Sequence, residues 1–292
     1  MHGECKLCKR YCKLQESHFI PKFVGKWLKK TSITGYIRES NVIHKRRQDI
    51  EKEYWLCGDC EKLFSSWETK FSTHIFFPVL EDNQSTLQYS EWMAKFCASL
   101  SWRTVTYIRS KNSERNEDSF YVNSLNGAEE HLAGFLLGRE KNLGKYEQHL
   151  FPLEEIESTT LENLPPNINR YFLRALGMDI LKNRYGIFIY TKLPKFLLLG
   201  SVNYKKLSNM RSSRISMKKG KISPRKYHWP TGIAEYIFDK ANEIANALEK
   251  IPSEQRTKFG EAIRKNPDKA AKSKLFEAFL ADYRMFGKEV FK

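Results

Sequence analysis

No apolar run in this chain is long enough to cross a bilayer. The longest candidate, residues 185–202, is interrupted by Lys192, Pro194 and Lys195, whereas a membrane helix needs about 20 consecutive apolar residues. Membrane insertion is therefore not expected. No apolar stretch follows the first residues either, because a cysteine pair begins at Cys5. A secretory leader has no room there, and a cytoplasmic location is expected. No internal repeat is visible. Cysteine is scarce: six in 292 residues are too few for a disulfide framework and read as reduced, metal-binding thiols. Acidic residues are also short. Thirty-four Asp and Glu stand against 50 Lys and Arg, a formal net charge of +16. That excess favours a polyanionic partner, nucleic acid first and an anionic membrane surface second.

What is present is strongly organised. Its 292 residues are enough for one large domain or two ordinary ones, and hydrophobic residues at 41 % supply a core. Four cysteines form two pairs, Cys5-Lys6-Leu7-Cys8 and Cys57-Gly58-Asp59-Cys60, with 48 residues between them. Each turn offers two thiolates to one ion. Together they make a closed tetrahedral zinc site, structural because no coordination position is left open. Cys12 is an alternative ligand for the first pair, and Cys97 falls in an apolar helical stretch that reads as core. After the second pair, Glu61 and Glu68 lie seven residues apart in a helical pattern. Two turns place them on one face. Carboxylate oxygens suit a hard divalent cation, which makes Glu61 a candidate ligand and Glu68 a ligand or an orienting group.

Between the cysteine pairs stands Ser17-His18-Phe19-Ile20-Pro21. With Leu7, Cys8 and Leu14 before it and Leu56-Cys57-Gly58-Asp59-Cys60-Glu61 after it, this stretch resembles the HNH (ββα-metal) endonucleases over roughly residues 1–78. More narrowly, it is similar to the zinc-ribbon HNH nucleases of bacterial antiphage defence, the nuclease component of type II Zorya systems among them. The resemblance implies that His18 is the general base, a role suited to a side chain that titrates near neutrality. It implies that Glu61, where the family usually has His or Asn, holds a catalytic Mg²⁺ or Mn²⁺. It further implies duplex DNA from phage or another foreign source as substrate, and protein partners within a defence system. Three departures stand out. Ser17 replaces the Asp, Glu or His that often precedes the histidine. Thirty-eight residues separate His18 from Cys57. The middle residue that orients the histidine has three candidates, Asn41, Gln48 and Asp49.

The expected fold class is α+β: a zinc-bound ββα-metal module over residues 1–80, then a mainly helical DNA- or partner-binding region over residues 81–292 with a short β-hairpin. Helices are expected near 21–30, 60–76 (closed by Pro78), 88–109, 126–141, 168–178, 233–250, 252–265 and 267–286. Extended pieces are expected at 34–37, 42–45, 53–56, 187–191 and 196–202. The apolar stripe of the last helices, from Ile237 through Phe259 and Ile263 to Phe286, reads as core. Residues 204–228 read as a basic, polar region that includes a mobile loop. From Lys205 to Lys226 there is no acid, but there are nine cations: Lys205, Lys206, Arg211, Arg214, Lys218, Lys219, Lys221, Arg225 and Lys226. With Lys45, Arg46 and Arg47 they are the candidate phosphate contacts, and no motif among them spells a base-reading code. The expected activity is metal-dependent nicking or cutting of DNA with little sequence preference. Two other readings use the same residues: a zinc-dependent nucleic-acid-binding protein without catalysis, and an RNA-cleaving toxin.

Overall fold

The computed structural model describes residues 1–39, 42–111, 118–161 and 163–291. In chain order they form β1 (His2–Glu4), β2 (Tyr11–His18), α1 (Lys22–Lys30), β3 (Lys52–Cys57) and α2 (Gly58–Phe71). A π-helical turn (Ser72–Phe76) joins α2 to α3 (Phe77–Leu80). Next come β4 (Leu87–Tyr89), α4 (Trp92–Lys111), α5 (Ser119–Leu136), β5 (Gln148–Pro152), α6 (Ile168–Arg174), β6 (Gly177–Asn183), β7 (Gly186–Leu193), β8 (Phe196–Tyr204) and β9 (Gly220–Ile222). The chain closes with α7 (Ile233–Glu249), α8 (Ser253–Lys265), α9 (Pro267–Ala271) and α10 (Lys274–Phe286). The fold is thus mixed α and β, with a four-cysteine cluster near its N-terminus. No helix among the described residues is long and apolar enough to cross a membrane.

The backbone gathers into two compact units of interleaved segments. The first comprises Met1–Pro21, Glu51–Pro152 and Leu176–Pro230; the second comprises Lys22–Ile50, Leu153–Ala175 and Thr231–Lys292. Residues 1–80 therefore contribute to both. This also accounts for the long spacing between His18 and Cys57. Strands β2 and β3 pair antiparallel, with His18 opposite Lys52, and the chain between them leaves to build α1 in the second unit.

In the first unit, strands are ordered β5-β8-β7-β6, all antiparallel. A short hairpin was expected here, and a four-stranded sheet is found. The strands β5 and β6 escape notice because one is brief and ends in Pro152 and the other mixes Asp179, Lys182 and Asn183 with its apolar residues. Helix α4 lies on this sheet and is buried around most of its circumference from Trp92 to Thr106. Its close seat depends on Gly200, where a Cβ would stand 2.5 Å from Ser101 Oγ. The polar groups enclosed there are paired: Ser101 Oγ donates to Gln148 (2.7 Å), and the hydroxyls of Thr104 and Thr191 meet at 2.9 Å. On another face α4 receives α2, with Phe71 stacked on Phe96 (4.0 Å) and Phe64 edge-on to Trp102 (5.8 Å). The helix after Cys60 does not stop before Pro78 as expected. Widening into a π turn, where Phe77 N–H reaches back to Ser72, moves the carbonyl that the proline ring would strike.

The segment 204–228 is anchored rather than free. Leu150 N–H donates to Ser213 O and Ile215 N–H to Gln148 O, each at 2.8 Å. Strand β9 pairs with β4, and Met210, Ile215 and Ile222 are buried. All nine of its cations nevertheless remain exposed.

The second unit is helical. Buried Asp282 on α10 accepts from the Asn169 and Arg170 N–H groups (2.7 and 3.2 Å) and from Arg170 Nε (2.6 Å), closing the start of α6. Arg174 at the end of α6 donates to Thr31 Oγ1 and Leu28 O, both at 3.0 Å, satisfying the last turn of α1. The expectation of a core stripe along α7 to α10 is corrected. Ile237 is buried, but α8 buries none of its residues, and Leu248 and Phe259 are exposed. Helical spacing marks an apolar face without saying what covers it.

Candidate metal centre and adjoining carboxylate cluster

Strand β1, the turn after it, and the junction of β3 with α2 bring Cys5, Cys8, Cys57 and Cys60 together. Their sulfurs all lie within 4.8 Å of one another. Cys8 Sγ and Cys57 Sγ are 3.8 Å apart, the edge expected of a sulfur tetrahedron built on metal–sulfur bonds of ~2.3 Å. The first pair sits in a tight turn closed by Lys9 N–H to Cys5 O and Cys5 N–H to Arg10 O, both 2.9 Å, with Lys9 at φ +65°. The second pair straddles the start of α2, where the helix dipole favours negative charge. Cys57 N–H also donates to Cys5 Sγ at 3.3 Å. The Cys5 sulfur is held toward the thiolate by a hydrogen bond from Cys60, whose thiol keeps its proton for the same reason. Arg10 covers the outer side, with Nε 3.5 Å from Cys8 Sγ and an Nη 2.8 Å from Asp59. Four soft donors at tetrahedral spacing beside a compensating cation can hold a metal ion such as zinc. Cys12 lies outside this group and bonds Arg10 O at 3.4 Å. Cys97 is fully buried, and burial pushes its thiol up.

The same two strands and helix carry the other candidates. A β-bulge at Gln15/Glu16 shifts the alternation of β2, so Leu14 and Ser17 are both buried despite their odd spacing. The Ser17 hydroxyl accepts from Leu56 N–H (3.2 Å) and lies within hydrogen-bonding reach of Glu61 in the first turn of α2. Burial pushes the Glu61 carboxyl above the ordinary range, and the charge of Glu68 adds to this; Ser17, Arg103 and His18 oppose it. His18 at the end of β2 and Glu68 on α2 are thus near enough to Glu61 for their charges to act on it. Glu61 also borders an open cleft of ≈ 540 Å³, lined with Lys13, Gln15, Glu16 and Tyr54.

Glu68 is engaged by a residue that sequence reasoning missed. Arg103 on α4, whose side chain is 2 % exposed, donates to Glu68 Oε1 at 2.7 Å and to the backbone oxygen of His18 at 3.0 Å. Its one sequence signal is a lone charge among the otherwise uncharged residues 96–108 of a helix that reads as core, where an unpaired cation is rarely tolerated. Of the candidates for the middle position, Gln48 and Asp49 belong to the second compact unit, and Asn41 lies outside the described residues. In that unit Lys45 and Arg46 are exposed, Arg46 lies over the Tyr36 ring, and Arg47 pairs with Glu39 at 3.0 Å. Of the nine cations from Lys205 to Lys226, Arg214 alone is ion-paired among the described residues, with Glu147 at 3.2 Å.

No family model, curated protein or solved structure matches this chain.

Proposed function

We propose that the chain is a metal-dependent endonuclease of HNH type that nicks or cuts DNA with little sequence preference. The carrying observation is the placing of His18 at the end of β2 and of Glu61 and Glu68 on α2, near enough for the charges of His18 and Glu68 to act on Glu61, beside four cysteines spaced for zinc. In this reading zinc ties the strands to the start of α2 and takes no part in the chemistry. His18 accepts the proton of the attacking water. Glu61, whose partly buried carboxylate gains from a nearby cation, holds a divalent ion such as Mg²⁺ or Mn²⁺. That ion, when bound, stabilises charge on the phosphate and the departing oxygen. The resemblance of residues 1–78 to antiphage nucleases extends the proposal to defence against foreign DNA in the cytoplasm, with partner proteins restraining the activity.

Supercoiled plasmid incubated with the protein should be nicked in Mg²⁺ and left intact in EDTA. Glu61→Gln should cut far more slowly at low Mg²⁺, with partial recovery as the metal concentration rises. Binding without nicks at any metal concentration would sink the enzyme reading. It would favour a silent nucleic-acid-binding scaffold, a reading that draws support from the tie of Glu68 to Arg103. Cleavage of a structured RNA alone would point to the toxin.

The exposed cations of residues 205–226 are suited to binding phosphates. Neutralising several of them should weaken binding to all sequences alike. On duplex DNA, the slope of log affinity against log salt should fall by about 0.9 for each phosphate that is no longer neutralised. An unchanged slope would assign these residues to an ordinary solvated face.

A further inference from the structure

Arg103 sits where a cation needs a reason. Its side chain is 2 % exposed on a helix otherwise given to core packing, and a guanidinium cannot shed its charge there. Four hydrogen bonds hold it: Nε to Ser99 O (3.4 Å), one Nη to His18 O (3.0 Å), and the other Nη to Glu68 Oε1 (2.7 Å) and Ser99 Oγ (3.3 Å). Its plane also lies over the Phe64 ring, 4.9 Å from the centroid. Two of these partners matter to the proposed chemistry. His18 is the last residue of β2, and the chain leaves for the second unit three residues later. Glu68 lies on α2, two turns beyond Glu61. One turn beyond Arg103, Tyr107 packs on Phe19 at 4.1 Å, so adjacent turns of α4 grip residues 18 and 19 in succession.

We propose that Arg103 is a positioning residue that locks the main chain at His18 to the helix carrying Glu61. It thereby supplies the orienting contact for which the sequence offered Asn41, Gln48 or Asp49. The inference rests on the nuclease reading for its catalytic consequence, but the anchor itself does not. The planar fork of arginine reaches two acceptors on different elements at once; a lysine keeps the charge without the fork. A functional module ending at residue 80 would lack this anchor, because it comes from α4.

The test compares wild type with Arg103→Lys and with the paired variant Arg103→Met/Glu68→Met. The pair removes both partly enclosed charges together, which spares the fold an orphaned carboxylate. Zinc content and melting temperature establish that each variant is folded. In Arg103→Lys, kcat for plasmid nicking should drop roughly 10²-fold while KM stays within about twofold, the pattern of a misplaced catalytic group. In metal-free protein carrying ¹³C-labelled histidine, the imidazole signal that disappears in His18→Ala should shift in both variants, while the signals of His131 and His149 should not. A His18 signal unmoved in folded variants, with kcat unchanged in Arg103→Lys, would overturn the proposal. If wild type fails to nick at all, the nuclease reading falls, and the His18 signal still decides whether Arg103 anchors the strand.

Discussion

Cys57→Ser should abolish zinc binding and unfold the region built from β1, β2, β3 and the start of α2. Purified wild-type protein should contain one zinc per chain by elemental analysis, and the variant none. The expected effect is large because apparent binding free energies of structural zinc in small zinc domains, about 10–16 kcal/mol, match or exceed the net stability of a typical domain, about 5–15 kcal/mol. The sheet it supports is slight: three strands, one of only three residues. Serine is a favourable residue at the start of a helix, and Cys57 is the N-cap of α2. A loss of stability in Cys57→Ser therefore belongs to the missing thiolate and not to a broken cap. Chelation of the wild type should lower its melting temperature in the same direction. Folded, soluble wild-type protein that holds no zinc and melts unchanged with chelator would remove the metal centre.

The cysteine cluster was legible because its information is local. Each pair sits in a single turn, and spacing alone states what the turn can bind. That Glu61 and Glu68 share a helix was legible for a similar reason, since seven residues span two turns. Arg103 was not, because its partner His18 lies 85 residues away and its helix otherwise reads as core. The bulge at Gln15/Glu16 left no mark in a polar segment, although it decides that Ser17, rather than a neighbour, is buried within reach of Glu61. In residues 204–228 the cations dominate the composition and suggest a loop. The few apolar residues that pin the segment, Met210, Ile215 and Ile222, are too widely spaced to show a period. The stripe of α7 to α10 failed differently. Its periodicity was real, but a helix with an apolar face need not have that face covered, and α8 does not.

His18→Ala should slow DNA cleavage by roughly 10²–10⁴-fold, the usual cost of losing a general base, while leaving zinc content and DNA affinity close to wild type. That separation follows from how the residue is held. The bond from Arg103 goes to the His18 backbone oxygen, which alanine retains, so the strand end stays tied to α4. The zinc ligands lie on other turns, and Phe19 keeps its packing on Trp55 and Tyr107. The exposed cations of residues 205–226 are untouched, so binding should keep its affinity and its salt dependence. A histidine that merely packs predicts the opposite pattern, a lowered melting temperature with the rate spared. Cleavage by His18→Ala at the wild-type rate would strip His18 of the base role. Loss of zinc or of binding in the variant would mean that the strand end, and not the imidazole, had been disturbed. Initial nicking rates at saturating DNA, measured with zinc content and melting temperature on the same preparation, distinguish these outcomes.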